Sequence, residues 1–231
     1  TLDFVKENDF KHTFSDKNIG LCSAINSASK LTTSNYILYS HDDMYFCPKW
    51  DHYLLDEIDK IGHDNFYFSG TMIEPHSGHI KFNCGENIEF FNEKKLLDNY
   101  KNINFYDHQG THFAPHLVSK HMWDEVGGFS EEFNPGIASD PDFNMKLWKN
   151  GVRVFKGINN FKVYHFSSIT SRKKKIKQNR GDRTFLKKWG ITTKFFKKHY
   201  LKTNTKYHGE LKEPVKNFDY FKDYFIAKIY Y

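Results

Sequence analysis

Two adjacent carboxylates follow an apolar segment early in the chain. The segment reads Tyr36-Ile-Leu-Tyr-Ser-His41-Asp42-Asp43, and its apolar part is typical of a buried strand. Open α/β sheets bind their ligands at the carboxyl ends of strands, where this pair would emerge. Carboxylate oxygens at such a place suit Mg²⁺ or Mn²⁺ carrying a diphosphate. The alternative interpretation is that Asp42 and Asp43 only end the strand and open a turn toward Pro48.

Three further segments carry residues suited to ligand binding or proton transfer. The first starts at a glycine, and the amino end of its helical pattern can face a ligand. The second places a glycine pair ahead of an acidic helix start, and the third ends an extended run with a histidine. In chain order they read Asn18-Ile-Gly20 with Asn26, then Gly127-Gly-Phe129 and Ser139-Asp140-Pro-Asp142, and finally Val163-Tyr-His165.

The spacing of apolar residues predicts alternating helices and strands. The predicted helices end near Phe10 or span 21–30, 50–61, 119–126 and 140–150. The predicted strands span 13–15, 36–40, 66–70, 110–118, 152–155 and 162–165, and a hairpin turn at 74–79 joins 71–73 to 80–82. Such alternation is typical of an α/β fold.

The order of these motifs resembles that of family 2 and related glycosyltransferases of the GT-A fold, over about residues 18–189. The resemblance implies an α/β fold: a GT-A (Rossmann-like) mixed sheet flanked by helices, with a small antiparallel hairpin and a helical C-terminal extension. It implies a glycosyltransferase domain at residues 1–190 and the extension at 191–231. The strands with which GT-A enzymes first grip the nucleotide are not recognised before Asn18. We therefore expect that grip in a preceding segment or in a different form.

The resemblance assigns a metal site. Asp43 would bind Mn²⁺ or Mg²⁺, and His165 would complete the coordination, since imidazole is compatible with Mn²⁺. His41 or Asp42 stands at the other end of the family's acidic motif. The alternative for His165 is a purely structural role at the end of a strand.

The resemblance also assigns donor and catalytic residues. Asn18, Gly20, Asn26 and Asp42 would contact the nucleotide-sugar, a UDP-, GDP- or dTDP-sugar. Arg172 or Lys173, in the basic segment 171–180, would contact its phosphate oxygens, unless that segment is only a solvated loop.

An acceptor hydroxyl has a pKa far above neutrality, so a carboxylate that removes its proton assists the attack. Asp140 matches the carboxylate of the family's acidic pair, although Ser139 stands where Glu is usual. The resemblance implies a single displacement with inversion at the anomeric carbon. Alternatively, Ser139 and Asp140 cap a helix that begins at Pro141.

Several other histidines are dense enough to suggest a second metal site. They lack the cysteine partners of a zinc site, so we interpret them as surface or core residues. Phe129 and Trp123 could stack on a sugar, but core packing is the simpler role for each. The histidines concerned are His76, His79, His108, His112, His116 and His121.

Composition sets the outer limits. A chain of 231 residues with 39% hydrophobic residues can bury one sizeable core. No apolar run approaches the roughly 20 residues that cross a bilayer. Three cysteines without a Cys-x-x-Cys pattern favour a reducing compartment, so we expect a cytoplasmic protein. The aromatic end, 218–231, can dock on the domain, on another subunit or peripherally on a membrane.

We therefore predict a metal-dependent glycosyltransferase that transfers a sugar to a hydroxyl of a glycan, lipid-linked or protein acceptor. The net charge of +6 suits an anionic ligand, but much of the excess follows Ser171, and no nucleic-acid partner is expected. Two alternatives stay open: a catalytically inactive GT-A-like domain that binds a glycan or a protein, and a basic nucleic-acid-binding module.

Overall fold

The computed structural model describes residues 2–166 and 179–229. Its α-helices are α1 (Leu2–Glu7), α2 (Leu21–Ser29), α3 (Trp50–Ile61), α4 (Glu93–Asn99), α5 (Lys120–Glu125), α6 (Ser139–Lys149), α7 (Gly181–Trp189), α8 (Thr193–Phe195) and α9 (Phe218–Ile229). Short 3₁₀ helices span Ile88–Phe90 and Glu131–Phe133, and a π-helical segment, Phe196–Leu201, continues α8. The strands are β1 (Tyr36–Tyr39), β2 (Met44–Phe46), β3 (Phe66–Glu74), β4 (Ile80–Lys81), β5 (His108–Gln109), β6 (His116–Ser119) and β7 (Val154–His165).

In the described part of the chain, the strands form one mixed sheet of seven. The main order is β1-β6-β3-β7-β2, with β4 beside β3 and β5 beside β7. The long strands β3 and β7 run parallel and are buried almost throughout. Their carboxyl ends therefore lie side by side, at Glu74 and His165.

The C-terminal residues share a core with the rest of the chain. One hydrophobic cluster joins residues of α2, β1 and α6 to residues beyond position 190. Its members from that later part include Ile191, Phe195, Phe196, Leu201, Leu211 and Tyr220. The helical character predicted for this part is confirmed, while the boundary at 190 stays a prediction. None of the described helices has both the length and the apolar character that a membrane span needs.

A long-range cap holds the start of α2. The Cys22 backbone N–H donates to the Asn134 side chain at 2.9 Å, and Asn134 in turn donates to Ser23. Gly20 precedes the helix with φ 86°, and an added Cβ would lie 2.3 Å from the Asn134 amide oxygen. Only glycine fits both the backbone angle and this close approach. The cap joins α2 to the loop that leads into α6.

Three predicted elements differ from the structure. Residues 13–15 form no strand. The segment after the turn at 74–79 is not the antiparallel arm of a hairpin, because β4 pairs with β3 in parallel, with Ile73 opposite Ile80. The chain makes a full loop between these strands, and the sequence pattern of a turn between two apolar runs did not distinguish the two arrangements. The strand predicted at 110–118 is confined to His116–Ser119.

Candidate active site

The residues predicted to hold a metal come together at the carboxyl end of β7. His41 and Asp43 lie in the short connection between β1 and β2, and His165 is the last residue of β7. Strands β2 and β7 are antiparallel, with Met44 opposite His165. The Phe166 backbone N–H also donates to the Asp43 carbonyl at 3.0 Å. This register places the acidic turn directly beside the histidine.

The three side chains present converging ligand atoms. His165 Nε2 lies 3.3 Å from Asp43 Oδ1, and His41 Nδ1 lies 4.0 Å from the same oxygen. All three ligand atoms lie within 4.8 Å of one another. Among the residues that the structure describes, this is the one group of at least three His, Cys, Asp or Glu side chains that close. Two imidazoles and a carboxylate form a donor set that can hold a divalent transition-metal ion.

Each imidazole is held through its other nitrogen. His165 Nδ1 lies 2.5 Å from Glu74 Oε1, and His41 Nε2 shares a hydrogen bond of 2.8 Å with the Tyr39 hydroxyl. Ser77 donates to the second oxygen of Glu74. Sequence reasoning missed Glu74 because it was interpreted as part of a turn. The available signal was a carboxylate at the end of an apolar strand, the same signal that identified Asp43.

The charges around the two histidines differ. Burial lowers the pKa of His165, but hydrogen bonds that the imidazole makes to Asp43 and Glu74, together with the charges of these carboxylates, outweigh it, so the pKa is raised. For His41, burial dominates and the pKa is lowered, with Asp43 opposing the shift. His41 is therefore mainly neutral at pH 7, and His165 is held by two carboxylates.

Asp140 lies in the first turn of α6. The helix begins at Ser139, its N-cap residue is Ala138 with φ 65°, and no side chain caps it. The Ser139 hydroxyl instead donates to the Gly136 carbonyl at 2.7 Å. The interpretation of Ser139 and Asp140 as caps of a helix starting at Pro141 is therefore wrong, and the side chain of Asp140 does not serve the helix end.

The environment of Asp140 suits a proton acceptor. Its Oδ1 is buried and has no hydrogen-bond partner among the described residues. Burial raises the pKa of Asp140 to about 7. A carboxyl with this pKa changes protonation near neutral pH, as a general base must.

One cavity joins Asp140 to the candidate metal ligands. This cavity, named here the catalytic cavity for the role predicted for Asp140, has a volume of about 400 Å³. Asp140, His41, His165 and Glu74 form one part of its wall. The rest of the wall comes from Met44, Met72, Gly78, His79, Phe113, Ala114 and Asn204. The structure therefore brings the predicted base and both histidines to a single cavity.

A larger cleft adjoins the catalytic cavity along α2 and β1. It has a volume of about 680 Å³, and its wall includes His41, Asp42 and Asp43. The apolar side is formed by Leu21, Ala24, Ile25, Ala28, Ile37 and Leu38. A second recess, of about 650 Å³, is lined by Asn18 and Gly20. The Gly20 N–H donates to the Asn18 side chain at 2.9 Å, which shapes the loop before α2.

The other residues predicted for donor binding fall in different places. Asn26 uses both its amide atoms on Phe129, accepting from its N–H at 2.9 Å and donating to its carbonyl at 2.8 Å. This ties α2 to the Gly127–Phe129 turn, a role that the sequence did not indicate. The assignment of Asn26 to the donor stays a prediction. Arg172 and Lys173 lie outside the described residues.

Asp142, next to the candidate base, has a structural role. Its carboxylate is fully buried and accepts from Ser130 at 2.6 Å and from Trp189 Nε1 at 2.8 Å. Lys188 lies 3.0 Å from the same group. These bonds join α6 to α7, so Lys188 and Trp189 brace the first turn of α6, which carries Asp140.

The remaining candidates are core or surface residues, as expected. Phe129 and Trp123 are 1% and 3% exposed and pack in the main core. His76 and His121 are exposed and lie near glutamates. Burial lowers the pKa of His108, His112 and His116 to about 3 in each case, so these three are neutral at pH 7. The three cysteines are buried and free.

The chain matches a known family in sequence and is similar to known proteins in structure. The model of glycosyl transferase family 2 matches residues 1–117. The crystal structure of S. aureus TarS 1-349 is similar with a TM-score of 0.52 and 14% identity, covering 73% of this chain and 48% of that chain. GalNAc-T7, solved with UDP, GalNAc and Mn²⁺, is similar with a TM-score of 0.51 and 12% identity, covering 78% of this chain and 35% of that one. Among curated proteins, no sequence matches.

These similarities identify the class and then the family. The mixed sheet flanked by helices is the GT-A fold of glycosyltransferases. The chain belongs to glycosyl transferase family 2. It spans about half of the first structural neighbour and about a third of the second.

Proposed function

We propose that this chain carries the catalytic site of a metal-dependent glycosyltransferase that moves a sugar from a nucleotide-sugar to an acceptor hydroxyl with inversion. The observation that carries the proposal is the catalytic cavity, in which Asp140 shares a wall with His41 and His165. A carboxyl with a raised pKa and a converging cluster of metal ligands in one space are the two parts that such a transfer needs.

Asp43, His41 and His165 would hold the cation. A bound Mn²⁺ or Mg²⁺ supplies charge stabilisation for the diphosphate that leaves the sugar. Glu74 and Tyr39 orient the two imidazoles, and Asp42 faces the adjoining cleft. We assign this cleft to the nucleotide-sugar, because it borders the metal ligands. The binding of UDP and Mn²⁺ by GalNAc-T7 supports the assignment.

Asp140 would accept the proton of the acceptor hydroxyl as that oxygen attacks the anomeric carbon. A single displacement of this kind inverts the anomeric configuration, because attack and departure occur on opposite faces of the sugar. The burial of Asp140 keeps its proton affinity near that required at neutral pH.

The test is the release of nucleoside diphosphate from a panel of UDP-, GDP- and dTDP-sugars, with Mn²⁺ or with a chelator. We expect one donor to be consumed only with metal, and Asp43→Ala to abolish its consumption. Asp56→Asn, on the exposed side of α3, is the matched control and should behave as the wild type. Consumption of no donor, despite folded protein, would instead favour a binding domain and contradict the proposal.

A further inference from the structure

A basic groove lies next to the catalytic cavity. It has a volume of about 680 Å³. Its wall consists of His112, Phe113, Lys194, Lys197, Lys198, Lys202, Thr203, Asn204 and Thr205. Phe113 and Asn204 also line the catalytic cavity, so the two spaces adjoin at these residues. A ligand in the groove can therefore reach toward Asp140.

The charge of the groove is of one sign. Four lysines line it, and no Asp or Glu does. Lys198 is neutralised by Asp223 at 2.6 Å. Among the described residues, no carboxylate lies within ion-pair distance of Lys194, Lys197 or Lys202. Three ammonium groups without a counter-charge in one concave surface attract anions.

The lysines are carried by a fixed segment. Thr203 N–H donates to the Lys197 carbonyl at 3.1 Å, and Gln109 N–H donates to the Thr205 carbonyl at 2.8 Å. Behind them, Gly110 approaches the Leu201 carbonyl so closely that an added Cβ would lie 1.8 Å from its oxygen. The groove wall is thus hydrogen-bonded to the region around β5.

The backbone that presents Lys197 and Lys198 is π-helical over Phe196–Leu201. Such turns are rare and occur frequently at functional sites. His112, at 6% exposure, lies beside them, and burial followed by the charge of Lys197 lowers its pKa to about 3. His112 is therefore a neutral neighbour, and the charge of the groove comes from lysine alone.

The groove and the donor cleft adjoin different parts of the catalytic cavity. The donor cleft shares His41 with the cavity, whereas the groove shares Phe113 and Asn204. No residue lines both the cleft and the groove. If the cleft holds the nucleotide-sugar, the groove is the side from which the acceptor approaches. Phe113, at 45% exposure, offers an aromatic ring to a sugar at the junction.

We propose that this groove binds the acceptor, and that the acceptor is an acidic glycan carrying phosphate or carboxylate groups. The acidic groups contact Lys194, Lys197 and Lys202, while the reacting hydroxyl enters the cavity beside Asp140. This inference rests on the proposed function for the identity of the cavity. The charge of the groove itself does not depend on that function.

The test is binding to an array of matched oligosaccharides, each present as a neutral form, a phosphorylated form and a uronic-acid form. The wild type should retain the acidic forms, and retention should fall when NaCl rises from about 50 to about 300 mM. Lys197→Glu with Lys202→Glu should weaken retention at least about tenfold, since two attractive contacts become repulsive. Lys149→Glu with Lys216→Glu changes the net charge equally at two exposed lysines elsewhere and should bind as the wild type.

Several results would overturn the inference: no retention of acidic forms, equal retention of neutral forms, or equal binding by the groove variant and the wild type. Thermal unfolding of each variant confirms that it is folded. If the charge reversal prevents folding, Lys197→Gln with Lys202→Gln applies the same test. Failure of the proposed function is seen separately, as absence of nucleoside diphosphate release by the wild type with every donor. Phosphate and carboxylate arms of the array distinguish the two sources of negative charge.

Discussion

Glu74 and His165 form a buried pair at the carboxyl ends of the two central parallel strands, with His165 Nδ1 2.5 Å from Glu74 Oε1. The opposite nitrogen of the same ring, Nε2, lies 3.3 Å from Asp43. A carboxylate behind an imidazole fixes its tautomer and directs the other nitrogen to a metal ion. In the proposed metal site, Glu74 is therefore a positioning residue.

Replacement of Glu74 by glutamine should weaken Mn²⁺ binding. Loss of a carboxylate behind a metal-binding histidine typically costs about 10–100-fold in affinity. Isothermal titration calorimetry with Mn²⁺ measures the Kd without dependence on turnover. Glu89→Gln, at an exposed glutamate, is the control. An unchanged Kd for Glu74→Gln would show that His165 is oriented by the strand alone.

The rate of transfer should follow the ionisation of Asp140. Since burial raises its pKa to about 7, the carboxylate that accepts the proton is a minor species at pH 5.5 and the major one at pH 8.5. We expect kcat/KM to rise through about pH 7 and then level off. A pH profile measured with saturating metal checks this. A rate that is flat from pH 5.5 to 8.5 would exclude Asp140 as the titrating base.

The ionisation of Asp140 should also make the stability of the protein depend on pH. Folding raises the pKa of Asp140 from 3.8 to about 7. Proton binding by Asp140 therefore stabilises the folded state at low pH, and this stabilisation is lost as the pH rises through about 7. Asp140→Asn, which stays neutral, should raise the thermal midpoint relative to the wild type at pH 8.5 by a few degrees, and less at pH 5. Calorimetric scans at both pH values measure the difference. An equal effect at both would contradict a buried, titrating carboxyl.

Three buried histidines should make the protein acid-sensitive. The pKa values of His108, His112 and His116 are lowered from 6.5 to about 3 by burial, so their contribution is full above pH 6.5 and lost as pH falls toward 3. Each proton taken up on unfolding changes the unfolding free energy by about 1.4 kcal/mol per pH unit. His116 packs between Tyr39, Tyr67 and Phe143, so the aromatic ring of His116→Phe should fit the same place. This variant should therefore show a weaker decrease of the unfolding free energy as the pH falls.

Urea unfolding at pH 7.5, 5.5 and 4.5 measures that slope. His52→Phe, at an exposed position on α3, is the control and should leave the slope unchanged. A slope equal to that of the wild type in His116→Phe would show that His116 takes up its proton without unfolding.

The order of short motifs along the chain predicted much of the candidate site, because its residues lie within those motifs. The strand before Asp43, the helix of Asp140 and the strand ending at His165 are all visible as local patterns. The distances between them depend on pairing of β2 with β7 and of β3 with β7, which joins segments far apart in the chain. No local pattern encodes that pairing, so the convergence of the three ligand atoms required the structure.

Sequence analysis missed the roles of residues whose hydrogen-bond partners lie far away in the chain. Glu74 was taken for a turn residue, and only the parallel pairing of β3 with β7 shows why a carboxylate ends that strand. Asn26 bonds to Phe129, and Asp142 bonds to Trp189, across long stretches of chain. Their residue types are common at helix surfaces and helix starts, so composition and spacing carried no signal for these contacts.

The most direct test of the central claim compares the wild type with Asp140→Asn, measuring both Mn²⁺-dependent donor binding and release of nucleoside diphosphate. Because the proposed mechanism assigns Asp140 to the base and not to the cation, the variant should bind the donor as the wild type does. Its turnover should fall by about 10²–10⁴-fold, the usual contribution of general base catalysis. Turnover near that of the wild type, or loss of donor binding together with turnover, would contradict the assignment of Asp140 and the mechanism built on it.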